Sequence, residues 1–458
     1  MIIGRELLNG KVPYVDLYEN KGPFLYFIQA LPQAIWPGRY SIFILQLMLW
    51  FIQFKIIDKI SWFLYKKKAP ASTFLLFFLF VLFNYQEGNL AEEYNLFFIF
   101  ITALCFIKIT ETDKYTFPGI SMGISLAAVM LIRINDIVPI IVFILCSYIS
   151  IWTRKKTLTS ILAYTLSGFT GMGIIILPTI LYYHSHDALS DMLKGYLFVN
   201  TQYVEGQGAF LSERIHLLFS PFGFFCLLIL FCALLTAYIY SRKSEYPAVI
   251  KLALWLLPCL SVPALFVSGS GFLHYTYVLG ILVVFSAIIL QQETAMSVRR
   301  FISSRLHLPL FLAKLAGILL ICLLNLVISK GISAPLTANN RLVPRESQYL
   351  LTVSELMSHI PESEKSSLYI INGFSANFYM ETDTLPAYRY FLPLVYAEIS
   401  PEIEEELIRY FRETPPQWTI ISDWEEITNA SKGISTLLQQ QYQPVSTNTP
   451  YVSLYRLK

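Results

Sequence analysis

The chain alternates long apolar runs with short polar segments, and the runs set the first expectation. Residues 40–57, 69–83, 94–109, 117–132, 136–152, 158–182, 219–240, 250–267, 274–291 and 309–329 are each predominantly apolar. They approach or exceed the roughly 20 residues that cross a bilayer as a helix, which predicts about ten transmembrane helices. The strict two-residue alternation of a membrane barrel is absent. After Lys330 charged residues become frequent and no run is long enough to span. Ser367 to Asn372, Trp418 to Ser422 and Tyr451 to Leu457 read as short strands, with amphipathic helices over Glu402 to Arg412 and Glu425 to Gln441. The chain is therefore read as an α-helical polytopic membrane domain, residues 1–329, followed by a small α/β domain, residues 330–458.

The polar segments fix an orientation. Lysine and arginine gather in every second loop: Lys59 and Lys66 to Lys68; Lys108 and Lys114; Arg154 to Lys156; Arg242, Lys243 and Lys251; Arg299, Arg300 and Arg305. Basic loops stay on the cytoplasmic side, so the other loops are predicted to be external. Those are residues 1–39, 84–93, a tight turn near Asn135, 184–213, 268–274 and everything after Lys330, which makes the α/β domain extracytoplasmic. An even number of spans puts both ends outside, yet Met1 to Lys11 holds no signal-peptide core. A further helix upstream, lost through a misplaced start or a fragment, is the expectation that follows.

Composition narrows the class. Hydrophobic residues make up 55% of the chain and charged residues 14%, with a mean hydropathy of +0.54, against roughly 25% charged in a soluble domain. The net charge of +3 is too small to argue for nucleic acid. All six cysteines lie in apolar runs without metal-ligand spacing and read as small buried hydrophobes. Neither a glycine-rich phosphate loop nor an internal repeat is found.

Candidate chemistry sits in the segments read as external. The first carries Asp16, Glu19 and Lys21 ahead of Gly22, Pro23 and a helical stretch from Phe24 to Trp36. A solvated loop with interfacial tyrosines also accounts for it. The second stacks Glu87, Glu92 and Glu93 between two apolar runs. Carboxylates this close to lipid usually have a partner, although the N-terminus of a helix also favours them. Arg133, Asn135 and Asp136 interrupt an apolar stretch, as a tight turn or as a polar cavity lining, and His274 with Tyr275 stand at the external mouth of a helix.

Taken in order, the Gly10-x-x-Pro13-Tyr14-x-Asp16 stretch with Lys21-Gly22-Pro23, the Gly88 to Tyr94 acidic loop, Leu131 to Asn135, the His274-Tyr275 pair and the terminal α/β domain resemble one family. It is the lipid-carrier-dependent membrane glycosyltransferases of the GT-C fold, the group of protein mannosyltransferases and the lipid A aminoarabinose transferase. The resemblance implies transfer of a sugar from a polyprenyl-phosphate carrier to an envelope lipid, polysaccharide or protein at the external face of a bacterial plasma membrane. It implies that Glu92 or Glu93 orients the acceptor or a divalent metal ion, that Lys21 meets the carrier phosphate, with Arg133 and His274 as further candidates and Tyr275 among the substrate-binding residues, and that Asp16 and Glu19 line the same loop as Lys21. The family's principal acid lies upstream of the Gly-x-x-Pro-Tyr stretch, before this sequence begins. Either the chain starts earlier, or Asp16 takes that role, or the chain is a non-catalytic member. Two rivals remain from other classes: a transporter or flippase for lipid-linked saccharides, which would bury polar groups at midplane in related halves, and a scaffold that binds glycan or partner proteins.

Overall fold

The computed structural model describes residues 1–84, 88–112, 114–201, 211–267, 271–305, 342–373, 377–449 and 452–458. Apolar runs in lipid must satisfy every backbone group internally, and here they do so as helices. Among the described residues, seven helices are long and apolar enough to cross a membrane: Arg39–Tyr65, Ala91–Glu111, Val138–Lys155, Leu158–Ser185, Pro221–Ser241, Ala248–Val267 and Leu273–Ala295. Two shorter apolar helices, Ala71–Asn84 and Thr116–Ile132, join them. These nine correspond to nine of the predicted spans, while the tenth, 309–329, lies outside the described residues. The chain is a polytopic α-helical membrane protein.

The chain divides into two compact units. The first comprises Lys21–Tyr182 and Gln207–Leu336, together with Met1. Ala91–Glu111 and Leu273–Ala295 are its central helices, with 72% and 78% of their apolar windows buried against 22% for Leu158–Ser185. Ile99, Phe100, Ala103, Cys146, Leu257, Ile281 and Ile288 form the heart of its core. The peripheral helices turn Phe43, Leu47 and Phe51, or Leu162, Leu166 and Phe169, outward, as a lipid-facing surface requires. Helices Thr116–Ile132 and Leu158–Ser185 approach through glycine: a Cβ on Gly123 would fall 2.0 Å from the Gly168 carbonyl oxygen, and one on Gly171 2.0 Å from that of Ile120. Small residues are what allow helix backbones to come this close in lipid. Five cysteines are free thiols; Cys105, Cys146 and Cys226 are buried as expected, but Cys259 is exposed on its apolar helix, where lipid suits it equally well, and Cys322 lies outside the described residues.

The second unit comprises Ile2–Asn20, Tyr183–Gly206 and Thr337–Lys458. Its sheet runs β1 (Leu368–Ile370), β2 (Trp418–Ile421), β4 (Ser453–Leu457), β3 (Tyr442–Val445), with β1 parallel to β2 and the other pairs antiparallel. β2 is buried along its whole length, as its apolar run demands. Helix Pro401–Glu413 buries Ile403, Leu407 and Phe411, one face at helical spacing. β3 was not anticipated: Pro444 argues against a strand, and the structure resolves this by placing β3 at the sheet edge, where a missing N–H costs little. The helix expected over residues 425–441 is two, Trp424–Ala430 and Lys432–Gln441. Ser431 separates them with an extended backbone, its hydroxyl accepting the Ile434 N–H and so capping the second helix.

Candidate active site

Helix Ala91–Glu111 begins after two left-handed residues, Gly88 and Asn89, and brings two adjacent carboxylates into the first unit's interior. Glu93 braces the helix start. The Leu90 N–H donates to its Oε2 at 3.2 Å, the Tyr277 hydroxyl to its Oε1 at 3.1 Å, and the Gln46 side-chain amide also donates to Oε2. One carboxylate thus caps its own helix and ties it to two others.

Glu92 precedes it by about 100° of helical turn and faces a different set of groups. Its Oε1 accepts from Arg133 Nη1 at 2.5 Å and lies 3.9 Å from His274 Nε2. Arg133 ends helix Thr116–Ile132 in an extended conformation, which swings its side chain out of the helix and back over the site. The guanidinium lies 3.8 Å from the centre of the Tyr275 ring, and its Nη1 also reaches Asp136 Oδ1 at 3.4 Å. Asn95, one turn along from Glu92, donates to Asp136 Oδ2 at 2.8 Å and to the Arg133 carbonyl at 3.1 Å. Its own Oδ1 is buried with no hydrogen-bond partner among the described residues. Burial pushes the Asp136 carboxyl upward; the Arg133 and Lys21 charges and the Asn95 hydrogen bond oppose this, and the Glu92 charge adds to it.

Lys21 enters through its neighbour. The Gly22 N–H donates to the Ile132 carbonyl at 2.9 Å, and a Cβ there would fall 2.1 Å from the Leu131 carbonyl oxygen. Only glycine permits so close a seat on the end of the helix that delivers Arg133. Pro23 then opens helix Pro23–Ile35, and the Tyr26 hydroxyl donates to the Lys21 carbonyl at 3.0 Å.

Of the residues predicted from sequence, the structure brings Glu92, Arg133, His274 and Tyr275 together, with Lys21 seated beside the same helix end and Glu93 turned to Gln46 and Tyr277. Asp16 and Glu19 belong to the second unit. There Asp16 Oδ2 accepts the Val12 N–H at 2.7 Å. Glu87 lies outside the described residues. The role of Asn95 and Asp136 in orienting Arg133 was not read from the sequence; the signal available was an amide and a carboxylate in otherwise apolar company. Among the described residues no three His, Cys, Asp or Glu side chains gather closely enough to hold a metal ion.

No family model and no curated protein matches the sequence. The structure is similar to the crystal structure of ArnT from Cupriavidus metallidurans bound to undecaprenyl phosphate, with a TM-score of 0.57 at 11% identity. The match covers 99% of this chain and 92% of that one. The chain has the fold of ArnT. The GT-C fold expected from the short sequence motifs is thereby present over nearly the whole chain, and the ArnT likeness agrees with a polytopic membrane protein carrying a small sheet.

Proposed function

We propose that this chain is an integral membrane glycosyltransferase that moves a sugar from a polyprenyl-phosphate carrier to an envelope acceptor on the external face of the bacterial plasma membrane. The observation that carries this reading is the Glu92, Arg133, Asp136 and His274 cluster, built in a fold whose solved neighbour holds undecaprenyl phosphate. The basic loops lie at the opposite helix ends, which supports an external position for the cluster and an extracytoplasmic C-terminal unit.

The chemistry available suits this transfer. An acceptor nucleophile attacks the anomeric carbon, the bond from that carbon to the phosphate oxygen breaks, and the departing phosphate keeps the electron pair. Arg133 and Lys21 supply cations for that developing anion, where charge-assisted hydrogen bonds are strongest. Glu92 holds Arg133 in place and offers a carboxylate toward the proton the acceptor loses.

The test uses the full chain in lipid nanodiscs with undecaprenyl phosphate as probe, followed by a polyprenyl-phosphate sugar as donor. Carrier binding that weakens at least tenfold in Arg133→Ala, with transfer lost, supports the proposal. Carrier binding unchanged in that variant, or transbilayer movement of the lipid-linked sugar without transfer, would overturn it; the second outcome would favour a flippase.

A further inference from the structure

The second unit contains an open cleft of about 480 Å³, a size that holds small-molecule ligands. Lys11, Val15, Asp16 and Leu17 form one wall, while Leu385 to Arg389 and Glu406 form the other. Both walls are fixed by backbone bonds. Asp16 closes the 12–16 turn through the Val12 N–H, Tyr14 donates its N–H to the Leu17 carbonyl at 2.8 Å, and the Tyr18 N–H donates to the Arg389 carbonyl at 2.7 Å. Opposite, the Ala387 N–H donates to the carbonyl of Leu368 in β1 at 3.0 Å, which anchors that wall to the sheet.

The polar groups of this second wall are locked as well. Glu406 accepts from Arg389 Nη2 at 2.5 Å, from the Tyr390 hydroxyl at 2.8 Å and from the Tyr388 hydroxyl, and the Tyr388 ring stacks on Tyr410 at 4.1 Å. Two cations, Lys11 and Arg389, face two carboxylates, Asp16 and Glu406, so the cleft has no net charge to attract an ion. Its carboxylates disfavour a phosphate, its cations disfavour an amine, and its lining is too polar for a lipid tail. With Arg389, Tyr388 and Glu406 bonded to one another, the exposed Lys11 ammonium and Asp16 carboxylate supply the donor and the acceptor at the rim, a pairing that suits a ligand rich in hydroxyls.

We infer that this cleft binds an uncharged saccharide. The inference deepens the glycosyltransferase reading, since an enzyme acting on envelope glycans gains from a second hold on its acceptor, but the cleft can be tested without any transfer.

Saturation-transfer NMR on the full chain in nanodiscs, with millimolar methyl glycosides of glucose, galactose, mannose and N-acetylglucosamine, reads binding directly. At least one should give a signal that falls at least fivefold in Lys11→Ala and in Asp16→Asn, both of exposed rim residues whose circular dichroism should match the parent. The same signal should persist in Arg133→Ala, which separates this cleft from the proposed active site, and should survive added inorganic phosphate. Absence of signal from all four glycosides overturns the inference. So does a signal indifferent to both rim variants, or one displaced by phosphate.

Discussion

Glu92 and Glu93 are consecutive in the chain and have different partners: Glu92 reaches Arg133 at 2.5 Å, while Glu93 reaches the Tyr277 hydroxyl at 3.1 Å. The two should therefore fail differently when neutralised. Glu92→Gln removes the charge that holds Arg133 and is expected to abolish transfer; Asp136 remains as a counter-ion to the guanidinium, so the protein still folds, at a lower melting temperature, whereas Glu93→Gln should retain transfer. Glu93→Gln leaves donors from Leu90, Tyr277 and Gln46 facing an amide, and should destabilise the protein by about 1–3 kcal/mol, the usual cost of an unmet buried polar group. Thermal unfolding and sugar transfer measured on both variants check this; equal behaviour in the two assays would contradict the assignment.

Lys21→Ala should weaken undecaprenyl phosphate binding by about 1.5–3 kcal/mol, the scale of a hydrogen bond to a charged group, and Lys21→Arg should recover part of it. A lysine that only snorkels to headgroups would show no loss in either variant. Gly22→Ala offers a second reading, because the added methyl meets the Leu131 carbonyl and must displace Lys21 from its seat. Carrier affinity should fall there too, although the cation is retained.

Membrane orientation is open to cysteine labelling. Positions Lys66 to Lys68 and Arg154 to Lys156 should react only from the cytoplasmic side, and a cysteine at Lys458 only from outside. A cytoplasmic C-terminus would remove the external site from consideration.

Acid should weaken the second unit through Glu406. Burial raises its carboxyl, but hydrogen bonds from Tyr388 and Arg389 outweigh that and hold it below its ordinary value of 4.5. A carboxylate with a depressed folded value contributes fully above 4.5 and loses that contribution as the pH falls through the lower folded value. Near-ultraviolet dichroism of the tyrosine cluster should accordingly decline below about pH 4.5, and Glu406→Gln should lack this acid step.

Much of the site was legible because ionisable residues at the ends of apolar runs are expensive and therefore conspicuous. Glu92, Arg133 and His274 announce themselves in this way. Asn95 and Gln46 do not, because a single amide inside a lipid-compatible run leaves the hydropathy nearly unchanged and its partner is supplied by a distant segment. Asp16 and Lys21 are read from the sequence as parts of one loop, and the boundary between the two units falls between Asn20 and Lys21. Sequence proximity carries no information about that boundary. The break at Ser431 was hidden for the opposite reason: the amphipathic pattern continues across it, and only the capping hydroxyl marks the interruption.

The glycine contact between Thr116–Ile132 and Leu158–Ser185 extends beyond packing, because the first of these helices ends at Arg133. The helix acts as a rigid pointer whose mount lies in the apolar part of the protein and whose tip is the guanidinium. Adding a methyl at Gly123 would push the mount away from its neighbour and shift the tip several turns away, without altering any group that meets a ligand. A Gly123→Ala protein that still folds should then bind carrier with a distorted Arg133, giving slower transfer from a site whose every side chain is intact.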